Sequence, residues 1–186
     1  MLTLKNDQQL ENLPNNLQNL TLSHIFNQKL ENLPNNLQSL TLGDSFNQKL
    51  ENLPNNLQSL TLGFYFNQKL ENLPNSLKTL TTHGELINQK LENLPNNLQN
   101  LKLAGIFCQK LDKLPNRLRS LTLGYYFNQK LENLPNSLQS LTLDKCFKHK
   151  LNVCLALPKL QILKINENYK FDEWKNIFYK SIEDLL

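Results

Sequence analysis

Residues 40–59 read Leu40-Thr41-Leu42-Gly43-Asp44-Ser45-Phe46-Asn47-Gln48-Lys49-Leu50-Glu51-Asn52-Leu53-Pro54-Asn55-Asn56-Leu57-Gln58-Ser59, and residue 60 begins nearly the same string again. Working outward, Leu-x-Leu starts recur at Leu2, Leu20, Leu40, Leu60, Leu80, Leu101, Leu121 and Leu141, with a partial unit at Leu163. The period is 20; the first unit is short and the unit beginning at Leu80 runs one residue long. Self-similarity at a fixed short period is the signature of a stacked repeat array.

Within one unit the apolar slots are Leu40, Leu42, Phe46, Leu50, Leu53 and Leu57, separated by polar residues. Only Leu40 and Leu42 alternate as a strand does. The remaining spacings could suit a helix, but a proline follows the Leu53 slot in every unit before the one that starts at Leu141, and proline breaks a helix there. An extended or 3-10 return is therefore expected. One unit of twenty residues cannot bury enough apolar surface to offset the entropy of ordering its backbone, so stability requires stacking. Stacking pairs neighbouring Leu-x-Leu strands in parallel and lines up their leucines in columns.

Length measures unit number in such an array, so 186 residues suit one domain. Twenty Lys plus Arg against 16 Asp plus Glu give a formal net charge of +4, too small for a polyanion signature. The N-terminus lacks a basic stretch followed by an apolar run, and no stretch approaches a membrane span, so neither secretion nor a membrane role is expected. Cys108, Cys146 and Cys154 are an odd count without a secretory signal, which predicts reduced thiols in a cytoplasmic setting. Asn19-Leu20-Thr21 fits a glycosylation acceptor only by pattern.

The spacing Leu37, Leu40, Leu42, then Asn47 and Leu50 resembles the leucine-rich repeat, whose Leu-x-x-Leu-x-Leu is followed by Asn or Cys. The Asn slot holds Asn27, Asn47, Asn67, Asn88 and Asn128, and one copy carries Cys108. The resemblance implies that these side chains are buried and bond to backbone of the adjacent coils. More closely, Phe46-Asn47-Gln48-Lys49-Leu50 with Leu53-Pro54-Asn55-Asn56-Leu57 is similar to the FNIP repeat, a short leucine-rich relative found in amoebal and giant-virus proteins. If the source is viral, the expected setting is host-cell cytoplasm. The departure is Gln48-Lys49, where the family name expects Ile-Pro. Some members join such repeats to an F-box that recruits a ubiquitin ligase; this chain begins directly with a repeat, so no ligase-adaptor role is expected. What the resemblance implies is a leucine-rich-repeat-like solenoid of the α/β horseshoe class, mostly β, with one parallel sheet on the concave face.

No constellation points to catalysis, a metal or a cofactor. His24, His83 and His149 fall three coils apart, roughly 14 Å at the usual strand spacing, too far to share a metal. Cys108 and Cys146 lie two coils apart, about 9 to 10 Å, beyond disulfide reach. The lysine slot (Lys29, Lys49, Lys69 and their copies) could track a phosphate backbone, but acids such as Glu31, Glu51 and Glu71 stand two residues on. The two rows offset each other, so no nucleic acid is expected.

Comparing the copies with one another isolates one variable strip between the Leu-x-Leu strand and the Phe slot. It contains Phe64-Tyr65, Gly84-Glu85-Leu86, Gly105-Ile106 and Tyr125-Tyr126. Beside it runs an outward threonine column that includes Thr61 and Thr122. Phe64, Tyr65, Tyr125 and Tyr126, with Leu86 and Ile106 between, would form a contact patch for a protein partner on the rim of the concave face. The alternative is a structural spacer whose loop tips simply tolerate change. Thr82 stands in a leucine slot, which predicts a bulge or slip in that coil. The repeat array is assigned to residues 1–162. A terminal strand and capping helix are assigned to 163–186, because Phe171, Trp174, Ile177, Phe178, Ile182 and Leu185 recur at helical spacing behind Asp172. The N-terminal end has no evident cap, and two alternatives stand for it: it pairs with a second copy as a homodimer, or it marks a truncated chain.

Overall fold

The computed structural model describes residues 2, 3, 10, 12–86 and 90–165. The helix expected over 172–185, and Asn88, lie outside the described residues. Each Leu-x-Leu forms a short strand: β1 (Leu2–Thr3), β2 (Asn19–Thr21), β3 (Ser39–Thr41), β4 (Ser59–Leu62), β5 (Thr79–Thr82), β6 (Asn100–Leu103), β7 (Ser120–Leu123), β8 (Ser140–Leu143) and β9 (Ile162–Ile165). They stack in chain order into one parallel sheet of nine strands. The register places Leu20, Leu40 and Leu60 opposite one another and continues through Leu80, Leu101, Leu121, Leu141 and Leu163. Alternation then sends leucines inward and the Ser and Thr hydroxyls outward.

Two tight turns carry most coils around their core, as in the coil that starts at Leu40. Phe46 N–H donates to Gly43 O at 3.2 Å, and Leu57 N–H donates to Pro54 O at 3.1 Å. Between them Asn12, Asn32, Asn52, Asn72 and Asn133 adopt left-handed backbone, with φ between 54° and 61°. Asparagine tolerates that region better than most residues, so the Asn of Glu-Asn-Leu-Pro is the hinge of the return. The prolines there are core residues. Pro34, Pro54 and Pro74 are buried, whereas Leu33, Leu53 and Leu73 before them are only partly so. The expected sixth apolar slot is thus shared between leucine and proline.

Phe26, Phe46 and Phe66 stack in one column and Phe107, Phe127 and Phe147 in another, with centroids 6.1 to 6.3 Å apart. Paired strands stand about 4.8 Å apart. The coils therefore fan outward at the ring column, and the sheet lines the concave side. Among the described residues the return side is turns and extended chain, except for α1 (Asn152–Leu155). That coil reads Leu151-Asn152-Val153-Cys154-Leu155 where other coils place Leu-Glu-Asn-Leu-Pro. Without the proline a helical turn closes.

The bulge expected in the fifth coil is absent from the strand. β5 keeps register with β4 and β6 through Thr82, opposite Leu62 and Leu103. Thr82 is 1% exposed, and its hydroxyl finds no hydrogen-bond partner.

Candidate functional site

Large apolar side chains left in water stand out against a surface of Asn, Gln, Lys and Glu. Phe64 is 49% exposed and Tyr65 64%, while Tyr125 and Tyr126 are 44% and 51% exposed. All four leave the concave sheet at one rim, directly after β4 and β7. Each pair meets edge to face: Phe64 and Tyr65 with centroids 5.2 Å apart, Tyr125 and Tyr126 with centroids 4.7 Å apart. Such geometry favours the aromatic quadrupoles and fixes one ring by the other. Backbone bonds hold the rim as well. Tyr65 N–H donates to Asp44 O at 2.9 Å, and Phe64 N–H to Asp44 Oδ1 at 3.3 Å. Thr61 and Thr122 are partly exposed on the adjacent sheet face.

Leu86 does not belong to this patch. It is fully buried, twenty residues after Phe66, and takes the slot that phenylalanine fills in the other coils. The additional residue of this coil falls after the Phe slot rather than before it, so Leu86 keeps the core position. Ile106 remains at the rim, partly exposed. The positions equivalent to Phe64 and Tyr125 in the two coils between them are Gly84 and Gly105. A Cβ on Gly105 would come within 2.0 Å of Gly84 O. The backbones of these two coils close on each other there, so the strip has two aromatic shoulders with a low saddle of glycines between.

The Asn slot bonds as expected but is not buried. Asn27, Asn67 and Asn128 are exposed, and Asn47 and Cys108 partly so. Asn27 Oδ1 accepts from Asn47 N–H and Asn47 Oδ1 from Asn67 N–H, both at 2.9 Å; Asn128 Oδ1 accepts from Lys148 N–H at 3.0 Å. The Gln that follows reinforces the ladder, with Gln48 Nε2 donating to Asn27 Oδ1 at 3.1 Å. The slot lies outside the Phe column, where one amide per coil needs a partner and water reaches the rest. A thiol cannot replace a carboxamide acceptor at equal strength. Cys108 Sγ instead donates to Tyr126 O at 3.8 Å, tying the second aromatic pair to the coil before it.

Elsewhere the chemistry is sparse. Among the described residues no three His, Cys, Asp or Glu side chains gather closely enough for a metal, and no helix is long and apolar enough to cross a membrane. All three cysteines are free thiols. Burial pushes the Cys154 thiol up to about 11, which keeps it protonated and inert at neutral pH. Lys69 and Glu71 pair at 3.3 Å, and Lys90 and Glu92 at 3.7 Å, both on the exposed return side.

The comparisons with known proteins agree with this geometry. The family model described as FNIP Repeat matches residues 6–45, 26–65, 46–85, 66–105 and 107–146. The chain belongs to the FNIP repeat family. The FNIP array is also similar to the crystal structure of CroV588, a novel circular LRR protein, at 41% identity and a TM-score of 0.75. That match covers 85% of this chain and 25% of the other, so the FNIP array spans about a quarter of the length of CroV588. No curated protein was found to resemble the chain.

Proposed function

We propose that this array is a non-catalytic protein-interaction module that engages its partner through the concave face and the rim of the variable strip. The observation that carries the reading is the pair of aromatic shoulders, Phe64 with Tyr65 and Tyr125 with Tyr126. Rings that contribute little to the core remain 44% to 64% in water, where burial by a partner would release them. Aromatic side chains fixed at the edge of a rigid sheet lose little entropy on binding, and such residues dominate protein contacts. Ile106 and the hydroxyls of Thr61 and Thr122 border the same surface. The pairs stand three coils apart, roughly 14 Å, within a standard patch of about 800 Å² per partner.

Replacing Tyr65 and Tyr126 together with alanine tests this. Immobilised parent and variant are compared for the protein each retains from lysate of the source cell, and for the urea midpoint of unfolding. The double variant is expected to lose at least about 2 kcal/mol of affinity for the retained protein while its midpoint stays nearly unchanged. A variant that keeps the protein but unfolds early would place the rings in the core and move the binding site elsewhere.

A further inference from the structure

The small net charge of the chain conceals a strong polarity along the solenoid. Residues 1–100 hold six lysines against eight acids, whereas residues 101–165 hold nine lysines and two arginines against only Asp112, Glu132 and Asp144. Departures from the repeat produce this. In the sixth coil Lys102, Lys113, Arg117 and Arg119 replace neutral residues, and from the eighth coil on Lys145, Lys148, Lys159 and Lys164 are added while Asn152 replaces the acid that accompanies the lysine slot. Three cations converge at one place. Arg117, Arg119 and Lys159, all exposed, line a depression of about 300 Å³ together with Asn116, Ser137 and Gln139, and among the described residues no carboxylate lines it. Arg117 Nη1 donates to Asn97 Oδ1 at 2.7 Å, which steadies the guanidinium over this depression.

The depression borders the concave sheet on the edge opposite the aromatic rim. Arg119 immediately precedes β7, and Tyr125 stands two residues past its end, so about 20 Å of extended chain separates the two. Lys102 stands exposed on the sheet face, in the threonine column one coil before Thr122.

We propose that the Arg117, Arg119 and Lys159 edge receives an acidic segment of the protein partner, whose apolar side chains reach across the sheet to Tyr125 and Tyr126. This rests on the reading of the array as a protein-interaction module. Guanidinium groups pair carboxylates through two parallel hydrogen bonds, and the surrounding amides and hydroxyl complete the polar lining. A nucleic acid fits less well. The cations gather in one depression instead of tracking a backbone.

Fluorescence anisotropy with the full chain tests the assignment, using a labelled octaglutamate peptide and a labelled twelve-residue oligothymidine as probes. One variant carries Arg117→Gln, Arg119→Gln and Lys159→Gln. A control removes equal charge from other coils through Lys29→Gln, Lys49→Gln and Lys69→Gln. The peptide is expected to bind the parent in low salt, at least about tenfold more weakly to the first variant, and within about twofold of the parent to the control. Equal weakening by both variants would reduce the effect to net charge and overturn the site. Tighter binding of the oligothymidine, lost in the first variant, would make this edge a nucleic-acid surface instead. If octaglutamate fails to bind while the Tyr65 and Tyr126 double variant still loses its protein, the acidic-segment assignment falls alone. If octaglutamate behaves as expected and that double variant keeps its protein, the aromatic-rim reading falls, and with it the path across the sheet.

Discussion

Thr82 occupies a column in which Leu62 and Leu103 stand on either side, and its buried hydroxyl has no hydrogen-bond partner. Taking a hydroxyl out of water without a partner costs about 1 to 3 kcal/mol. Valine has nearly the same shape and no hydroxyl. Thr82→Val should therefore raise stability by about 1 kcal/mol, read as a higher urea midpoint with an unchanged slope. A lower midpoint would mean that the hydroxyl is satisfied in solution. Leu86 shows the opposite situation at the same scale, an apolar residue whose place cannot be read from its identity. An additional residue can be set on either side of the Phe slot in the string, and only burial decides which leucine or isoleucine enters the core.

At the scale of the coil, much was legible before the fold was known. Leu-x-Leu alternation marked the strands, and the recurrent proline excluded a helical return in the coils that carry it. The Asn slot was recognised as an inter-coil bond, but its burial was overestimated, because a sequence pattern does not tell which side of the Phe column a loop occupies. The left-handed Asn of Glu-Asn-Leu-Pro and the missing proline of the α1 coil were not drawn from the string, although both stand in it at fixed places. The Asn ladder predicts a modest effect. Asn47 Oδ1 accepts from Asn67 N–H and from Gln68 Nε2 at 3.2 Å, so Asn47→Leu removes two bonds that water can partly replace. The expected loss is about 0.5 to 1.5 kcal/mol in the urea midpoint, smaller than for a buried slot. A loss several times larger would show that the slot is sealed from water after all.

For the whole molecule, the period dictated the parallel stack, and the wider spacing of the phenylalanine column than of the strands made the sheet its concave face. The aromatic rim was legible because copies within one chain can be compared, and a position that varies against a fixed background stands out. The cationic edge was missed for a matching reason: a net charge taken over the whole chain averages a nearly neutral first half with a basic second one. Counting charge coil by coil would have exposed it. The two surfaces flank β7, Arg119 before it and Tyr125 after it. Hydroxyl-radical footprinting of the array, alone and with its captured partner, tests the claim most directly. Phe64, Tyr65, Tyr125 and Tyr126 should oxidise readily in the free chain and be protected several-fold in the complex, while exposed Ile25 keeps its reactivity. Protection confined to other residues, with the four rings as reactive as before, would contradict it.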